Sequence, residues 1–219
     1  MKKLNPKTYM VKKINFQNIE PSKIFEDSIW TSANVLEDFS QPWSNADSPK
    51  TKFLTLHNDQ FLFLRFDVED NNVLIHKESE DKMNVAQSDR VEIFYRENKK
   101  MDSYFCLEVD PNGRVLDYAA SFYRKFNNNW VWPKDHILTT GKKYLNGYKV
   151  YITLSIQSLR DLRIMRKNKI QVGIYRGDCK SLPSRKQKEA EINWISWVTP
   201  KTERSDFHVS SSFGILTLE

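Results

Sequence analysis

The segment Asp89-Arg90-Val91-Glu92-Ile93-Phe94-Tyr95 sets two ionisable side chains inside an apolar run. Side chains alternate between faces along a strand. Val91, Ile93 and Tyr95 therefore share one face, and Arg90, Glu92 and Phe94 share the other. The β-branched and aromatic content predicts a strand within a sheet, yet neither Arg90 nor Glu92 enters a dry core without a partner. Their face must be paired, solvated or turned towards a polar ligand. A guanidinium beside a carboxylate offers fixed donors and acceptors to such a ligand. Pairing has its own candidates in Arg65 and Glu108, since opposite charges on neighbouring strands contribute up to about 1 kcal/mol.

Other groups could do chemistry elsewhere. Asp67, Glu69 and Asp70, with Asn71, supply hard oxygen ligands suited to calcium. Asp110 and Asn112 form a smaller set of the same kind. Neither has the spacing of a helix–loop–helix calcium site, and a solvated acidic turn is the alternative reading of both. The histidines, His57, His76, His136 and His208, are widely spaced and match no zinc motif. Cys106 and Cys179 have neither metal-ligand spacing nor the pattern of a disulfide framework; they pair only if the fold brings their Cα atoms within about 7 Å.

The elements that must position these groups are strands. Alternating apolar runs at residues 53–56, 61–68, 88–96, 103–109, 115–123, 148–156, 169–175, 192–198 and 213–218 are separated by polar turns. Asp110-Pro111-Asn112-Gly113 is a strong turn sequence. Leu62, Leu64, Phe66 and Val68 line one face of their strand, with Phe61, Phe63, Arg65 and Asp67 on the other. One short helix is expected from Ser158 to residue 167, with Ser158 as its cap, and residues 177–191 read as a long basic loop. This pattern predicts an all-β fold, a jelly-roll-like β-sandwich of immunoglobulin-like proportions with at most one short helix. A single domain over 1–219 is expected, with 1–20 an N-terminal arm or first strand.

Composition narrows the function classes. The 219 residues are 39% hydrophobic and 13% aromatic, sufficient for a core, and carry a net charge of +6. The basic residues are scattered, whereas nucleic-acid binders gather them on one element, so no nucleic-acid partner is expected. No stretch approaches the roughly 20 apolar residues of a membrane span. Met1 to Lys13 has lysines but no apolar core of a signal peptide; this points to the cytoplasm as the chain stands, or to the periplasm or exterior if a leader was removed. The oligomeric state stays open.

Three segments in order resemble family 9 carbohydrate-binding modules, and more closely the stand-alone family 9-like proteins of bacteria. The first is Trp30 with Phe39 and Pro42-Trp43, followed by Phe66-Asp67-Val68-Glu69-Asp70. The second is Asp89 to Phe94, then Tyr104-Phe105-Cys106-Leu107-Glu108 and Asn112-Gly113. The third is Trp197 to Glu203 with Asp206-Phe207-His208 and Phe213-Gly214. The resemblance implies a β-sandwich that binds a mono- or oligosaccharide, often carries calcium and breaks no bonds. It also implies a sugar held between two tryptophans with charged side chains on its hydroxyls. Glu92 matches a carboxylate of that polar set, and Trp197, or in second place Trp194, matches the second tryptophan. Residues 83–88 hold no aromatic where the first tryptophan would stand, and the family arginine position holds Cys106 or a neighbour.

Sugar recognition needs a flat apolar surface for the ring's C–H face and planar polar groups for its hydroxyls. The expected saccharide-contacting set is Glu92, Arg90, Trp197, Trp194, Trp43, Trp130, Trp132 and Arg65. Trp130 and Trp132 share a face if their segment is extended, and each tryptophan has a core role as its plain alternative. Other classes stay in view. Glu92 and Glu108 could serve as a glycosidase pair if about 5–9.5 Å apart. A haem held by Met83 with His76 or His208, and a purely structural sandwich, are further readings.

Overall fold

The computed structural model describes residues 6–15, 24–44, 46–79 and 81–219. Among the described residues fourteen strands form one sheet, eleven of them on a single hydrogen-bonded path, and it curls into two facing layers. The first layer holds β5 (Arg90–Arg96), β6 (Tyr104–Val109), β7 (Val115–Ser121), β8 (Lys125–Asn127), β12 (Lys169–Ser181) and β14 (Gly214–Leu218), in the order β8-β7-β6-β5-β12-β14. The second holds β3 (Thr51–His57), β4 (Phe61–Glu69), β10 (Gly147–Ser155) and β9 (Ile137–Tyr144). Strand β1 (Thr8–Lys13) joins the layers, pairing in parallel with β14 through residues 8–11 and with β3 through residues 12–13. Three short or flanking strands complete the set: β2 (Val35–Leu36) on β3, and β11 (Met165–Arg166) and β13 (Glu191–Ser196) on β12.

Alternation explains which side chains meet. Val91, Ile93 and Tyr95 from β5 and Leu62, Leu64, Phe66 and Val68 from β4 all enter the core between the layers. A second cluster lies on the outer face of the first layer, where loops cover Phe94, Tyr104, Cys106, Tyr118 and Tyr175. A third sits on the outer face of the second layer around Trp30, Phe63 and Tyr151. The outer face of the first layer is thus covered and half-apolar, and it carries Arg90 and Glu92.

Several sequence expectations shift. The helix runs Ile156–Asp161, and Ser155 caps it by accepting the Ser158 N–H at 3.0 Å. The loop expected from 177 begins only after Ser181, because β12 continues through that stretch to pair with β13. Strand β9 was not anticipated; its burial is shallow and its lysines mask the alternation. Of the expected N-terminal arm, residues 8–13 are β1, while 1–5 and 16–20 lie outside the described residues. Cys106 and Cys179 are free and buried, on β6 and β12. No helix among the described residues is long and apolar enough to cross a membrane.

Candidate functional site

Arg90, Gly177 and Trp194 stand opposite one another on adjacent strands β5, β12 and β13. Directly opposed residues point to the same face, so the Arg90 side chain must cross Gly177 to approach Trp194. It does so closely: a Cβ on residue 177 would lie 2.9 Å from Arg90 Nη1 and 3.1 Å from its Cζ. Only glycine leaves this space. The guanidinium lies 5.0 Å from the Trp194 ring centroid, within the range of cation–π attraction.

The next pair inward is Glu92 and Glu108, directly opposed across β5 and β6. Arg90 Nε donates to Glu92 Oε1 at 2.9 Å and to Glu108 Oε2 at 2.7 Å. Arg90 Nη1 donates to the Ala86 and Ser88 carbonyls at 2.9 and 3.1 Å. Tyr118 donates its hydroxyl to Glu108 Oε1 at 3.0 Å. Burial pushes the Glu92 carboxyl up to about 8; the Glu108 charge adds to the push and Arg90 opposes it. Two buried carboxylates with one guanidinium leave an excess negative charge, and one shared proton removes it. The floor therefore holds a carboxylate, a carboxylic acid and a guanidinium side by side. Arg90 Nη2 has no hydrogen-bonding partner among the described residues, and the Glu92 carboxyl meets that of Glu108.

Aromatic walls rise around this floor and enclose a cavity of about 270 Å³, near the lower end of ligand pockets at roughly 300–1,000 Å³. One wall holds Trp194, Phe207 and Trp43, with Phe207 5.1 Å from Trp43 and 5.5 Å from Trp194. Phe207 is pinned to the sheet by stacking on Tyr175 at 3.9 Å and 11°. The Trp43 indole N–H donates to the Thr202 carbonyl at 3.2 Å, fixing its ring. The short 3-10 helix Lys82–Gln87 places Met83 and Ala86 on the rim. The far wall holds Leu116, Tyr118, Phe126 and His208. His208 bonds through Nδ1 with the Tyr104 hydroxyl at 3.1 Å and stands 5.0 Å from the Phe94 and Phe126 rings. Burial pushes its pKa down to about 4, so the ring is neutral near pH 7.

The structure gathers Arg90, Glu92, Trp194 and Trp43 at this one pocket. The other expected residues lie elsewhere. Trp194 and Trp197 are three positions apart, so strand alternation turns them to opposite faces. Trp197 is 2% exposed in the inter-layer core, its ring seated over Gly214, where a Cβ would come within 2.4 Å of the indole. Trp132 is also core, its backbone N–H donating to the Asp117 carboxylate at 2.6 Å and its indole N–H to Ser158 Oγ at 3.3 Å. Trp130 rests on Phe105 at 4.9 Å and on Trp132 at 5.8 Å. Arg65 belongs to the second layer, pairing with Asp67 at 2.6 Å and Asp27 at 2.7 Å and lying 5.8 Å from the Trp30 ring.

Sequence reasoning did not select Phe126, Phe207, Tyr118, Arg124 or Asp206. Phe126 is placed by β8, a three-residue strand whose register comes from the turn at 122–124. The stretch 83–88 that holds no aromatic contributes Met83 and Ala86 to the pocket lining. Phe126 brings an aromatic ring to the same pocket from a distant part of the chain.

The acidic residues expected to hold calcium do not converge. Asp67 is held by Arg65, and Glu69 reaches Lys50 at 3.6 Å. Asp70 instead meets Asp89 and Asp178, with one oxygen of each within 4.8 Å of the others. Three carboxylates suit a hard cation, and of their oxygens only the buried Asp178 Oδ2 accepts no hydrogen bond from the described residues. Arg176 Nη2 sits 2.9 Å from Asp70 Oδ2 and 3.4 Å from Asp178 Oδ1. Lys180 Nζ is 2.7 Å from Asp178 Oδ2. Asp70 Oδ1 takes the Asn72 N–H at 2.8 Å. Asp89 takes the Cys179 N–H at 2.8 Å and the Leu74 N–H at 2.6 Å. Arg176 supplies a cation to this cluster. Asp110 is spent on its own turn, accepting from Asn112, Arg114 N–H and Arg114 Nε at 2.9, 2.9 and 2.7 Å.

A two-layer β-sandwich with an aromatic-walled, charge-floored pocket on its outer face is the form of a ligand-binding module. The family model "Carbohydrate family 9 binding domain-like" matches residues 23–219, and the chain belongs to that family. Carbohydrate binding is thereby its functional class. No curated protein matches the sequence. Among solved structures it is similar to a protein from Bacteroides uniformis ATCC 8492 proposed to bind carbohydrate, with 16% identity, a TM-score of 0.74, and 98% of this chain and 100% of that one covered. It is also similar to a family 9 module from Caldicellulosiruptor kristjanssonii solved with cellotriose, with 17% identity, a TM-score of 0.58, and coverage of 97% and 94%. A family 9 module from the same organism solved with glucose has 19% identity, a TM-score of 0.54, and coverage of 97% and 96%. At these identities the likeness carries the fold.

Proposed function

We propose that this protein holds one end of a saccharide in the pocket between Trp194 and Phe126 and does not cut it. The observation that carries the reading is the floor, where the Arg90 guanidinium and the Glu92 carboxyl, bonded to each other at 2.9 Å, line the pocket between aromatic walls. A donor and an acceptor at neighbouring positions match the paired hydroxyls of a pyranose, and the rings cover its C–H faces. The small cavity favours a short segment of sugar over a long chain running through a groove.

The carboxylate arrangement supports binding over hydrolysis. A glycosidase sets its two carboxyl groups on either side of the scissile bond. Glu92 and Glu108 instead stand shoulder to shoulder on one sheet face and share one Arg90 nitrogen. Binding is also read as independent of calcium, because Arg176 supplies the cation of the one carboxylate cluster among the described residues.

A glycan array probed with and without calcium tests the proposal. Glucose and the cello-oligosaccharides are natural first probes, since similar modules were solved with them. Retention of a defined set of glycans, equal in calcium and in chelator, is expected. Failure to retain any glycan would remove the proposal.

A further inference from the structure

We infer that the ridge formed by Phe122, Tyr123, Arg124 and Phe126 is a second sugar subsite, carrying the part of a saccharide that leaves the pocket. The inference rests on the pocket reading above and extends it to chain length. Phe122, Tyr123 and Phe126 are 53%, 52% and 42% exposed and follow one another around the turn after β7. Neighbouring exposed rings of this size are the informative kind of surface.

The ridge is continuous with the pocket. Phe126 and Arg124 line the cavity together with Asn128 and Asp206. From there the Arg124 guanidinium lies 5.4 Å from the Phe126 ring, and its Nη1 donates to Asp206 Oδ1 at 3.1 Å. Tyr123 donates its hydroxyl to Asp206 Oδ2 at 2.6 Å, and its ring meets Phe122 at 5.2 Å. Asp206 is itself held by the His208 N–H at 2.9 Å. Aromatic faces therefore alternate with a planar guanidinium and a carboxylate, each fixed before a ligand arrives. Pre-fixed groups lose little freedom on binding. A cavity of about 270 Å³ cannot enclose a long oligosaccharide, and a chain leaving it over this rim meets ring faces and hydrogen-bonding groups in sequence. That alternation suits a glycan, which presents C–H faces and hydroxyls in turn.

The test uses the full chain and an array that presents each linear oligosaccharide beside its own monosaccharide, followed by calorimetry on the best series. The wild type is expected to bind the three-unit ligand about tenfold more tightly than the single unit, the scale of one aromatic stacking contact. The double variant F122A/Y123A should lose that preference while single-unit affinity stays within about twofold. Fluorophenylalanine labelling of the wild-type chain supplies a readout free of any folding defect: the Phe122 fluorine signal should move with the three-unit ligand and not with the single unit. No length preference in the wild type, a preference unchanged in F122A/Y123A, or a motionless Phe122 signal would overturn the subsite and leave the pocket standing. Absence of binding to every sugar would overturn both.

Discussion

Glu92 and Glu108 face each other from adjacent strands, with Arg90 Nε 2.9 Å from one and 2.7 Å from the other. Their face is the outer one, solvated in a plain sandwich but here covered by loops. Three buried charged groups there cost desolvation that an apolar set would avoid. Such a cost is repaid when the groups meet a polar ligand, and pocket walls of tryptophan and phenylalanine surround them. The relationship and the packing around it make five predictions.

The first concerns pH. Glu92 titrates at about 8 in the folded chain against 4.5 when exposed, so the folded state holds an extra proton between those values. Its stabilising contribution is complete below about 4.5 and is lost as pH rises through about 8. Asp89, pushed up to about 7 by burial, acts with the same sign. His208, pushed down to about 4, acts oppositely but only below about 6.5. Between pH 6.5 and 8.5 the melting temperature should therefore fall, and Glu92→Gln should flatten that fall. Thermal scans by circular dichroism decide it; an identical slope in Glu92→Gln would refute the shared proton.

Gly177→Ala should weaken sugar binding more than it weakens the fold. The added methyl group meets Arg90 Nη1 at 2.9 Å and must drive the guanidinium from beneath Trp194. Overpacking of this kind costs about 1–3 kcal/mol of stability. Affinity should fall at least about tenfold, since the displaced group carries the uncommitted donor. Calorimetry and thermal melts on the same samples separate the two effects.

Arg176→Met should make the protein respond to calcium. Removing the guanidinium leaves Asp70 and Asp89 uncompensated and Asp178 with Lys180 alone, and breaking a buried pair costs about 3–5 kcal/mol. Wild-type melting should be the same in millimolar calcium and in chelator. The variant should melt lower in chelator and recover part of the loss in calcium, because the freed carboxylates then offer a hard-cation site. A calcium shift in the wild type, abolished by Asp178→Asn, would show that the guanidinium does not fill the site.

Trp197→Ala should damage the fold. Its ring lies in the core over Gly214, and deletion of a buried tryptophan costs about 3–5 kcal/mol. At this chain length that is a fall in melting temperature of roughly 10 °C.

How far the sequence foretells these outcomes depends on local patterning. The alternation in residues 61–68 and 89–95 predicts the two faces of both strands, and the core face of each forms as expected. Glu92 and Arg90 are legible because a charge on a buried strand demands a partner. The choice between Trp194 and Trp197 is open to the same rule, since an odd spacing puts them on opposite faces, but only the inter-strand register says which face is which. Phe207 and His208 stand in the third segment of the resemblance, but their place in the pocket, like that of Phe126, is not legible, because a loop and a three-residue strand carry no period. Arg176 was hidden for a related reason: its carboxylate partners lie in segments that only the fold brings together.

The pocket itself is tested most directly at Trp194, which lines it without belonging to the core. The measurement is calorimetric titration of the best array-selected sugar into wild type and Trp194→Ala. Affinity is predicted to fall at least about tenfold, with the melting temperature lowered by no more than roughly 4 °C. Unchanged affinity in a folded Trp194→Ala protein would contradict the account and move the sugar to another face of the sandwich.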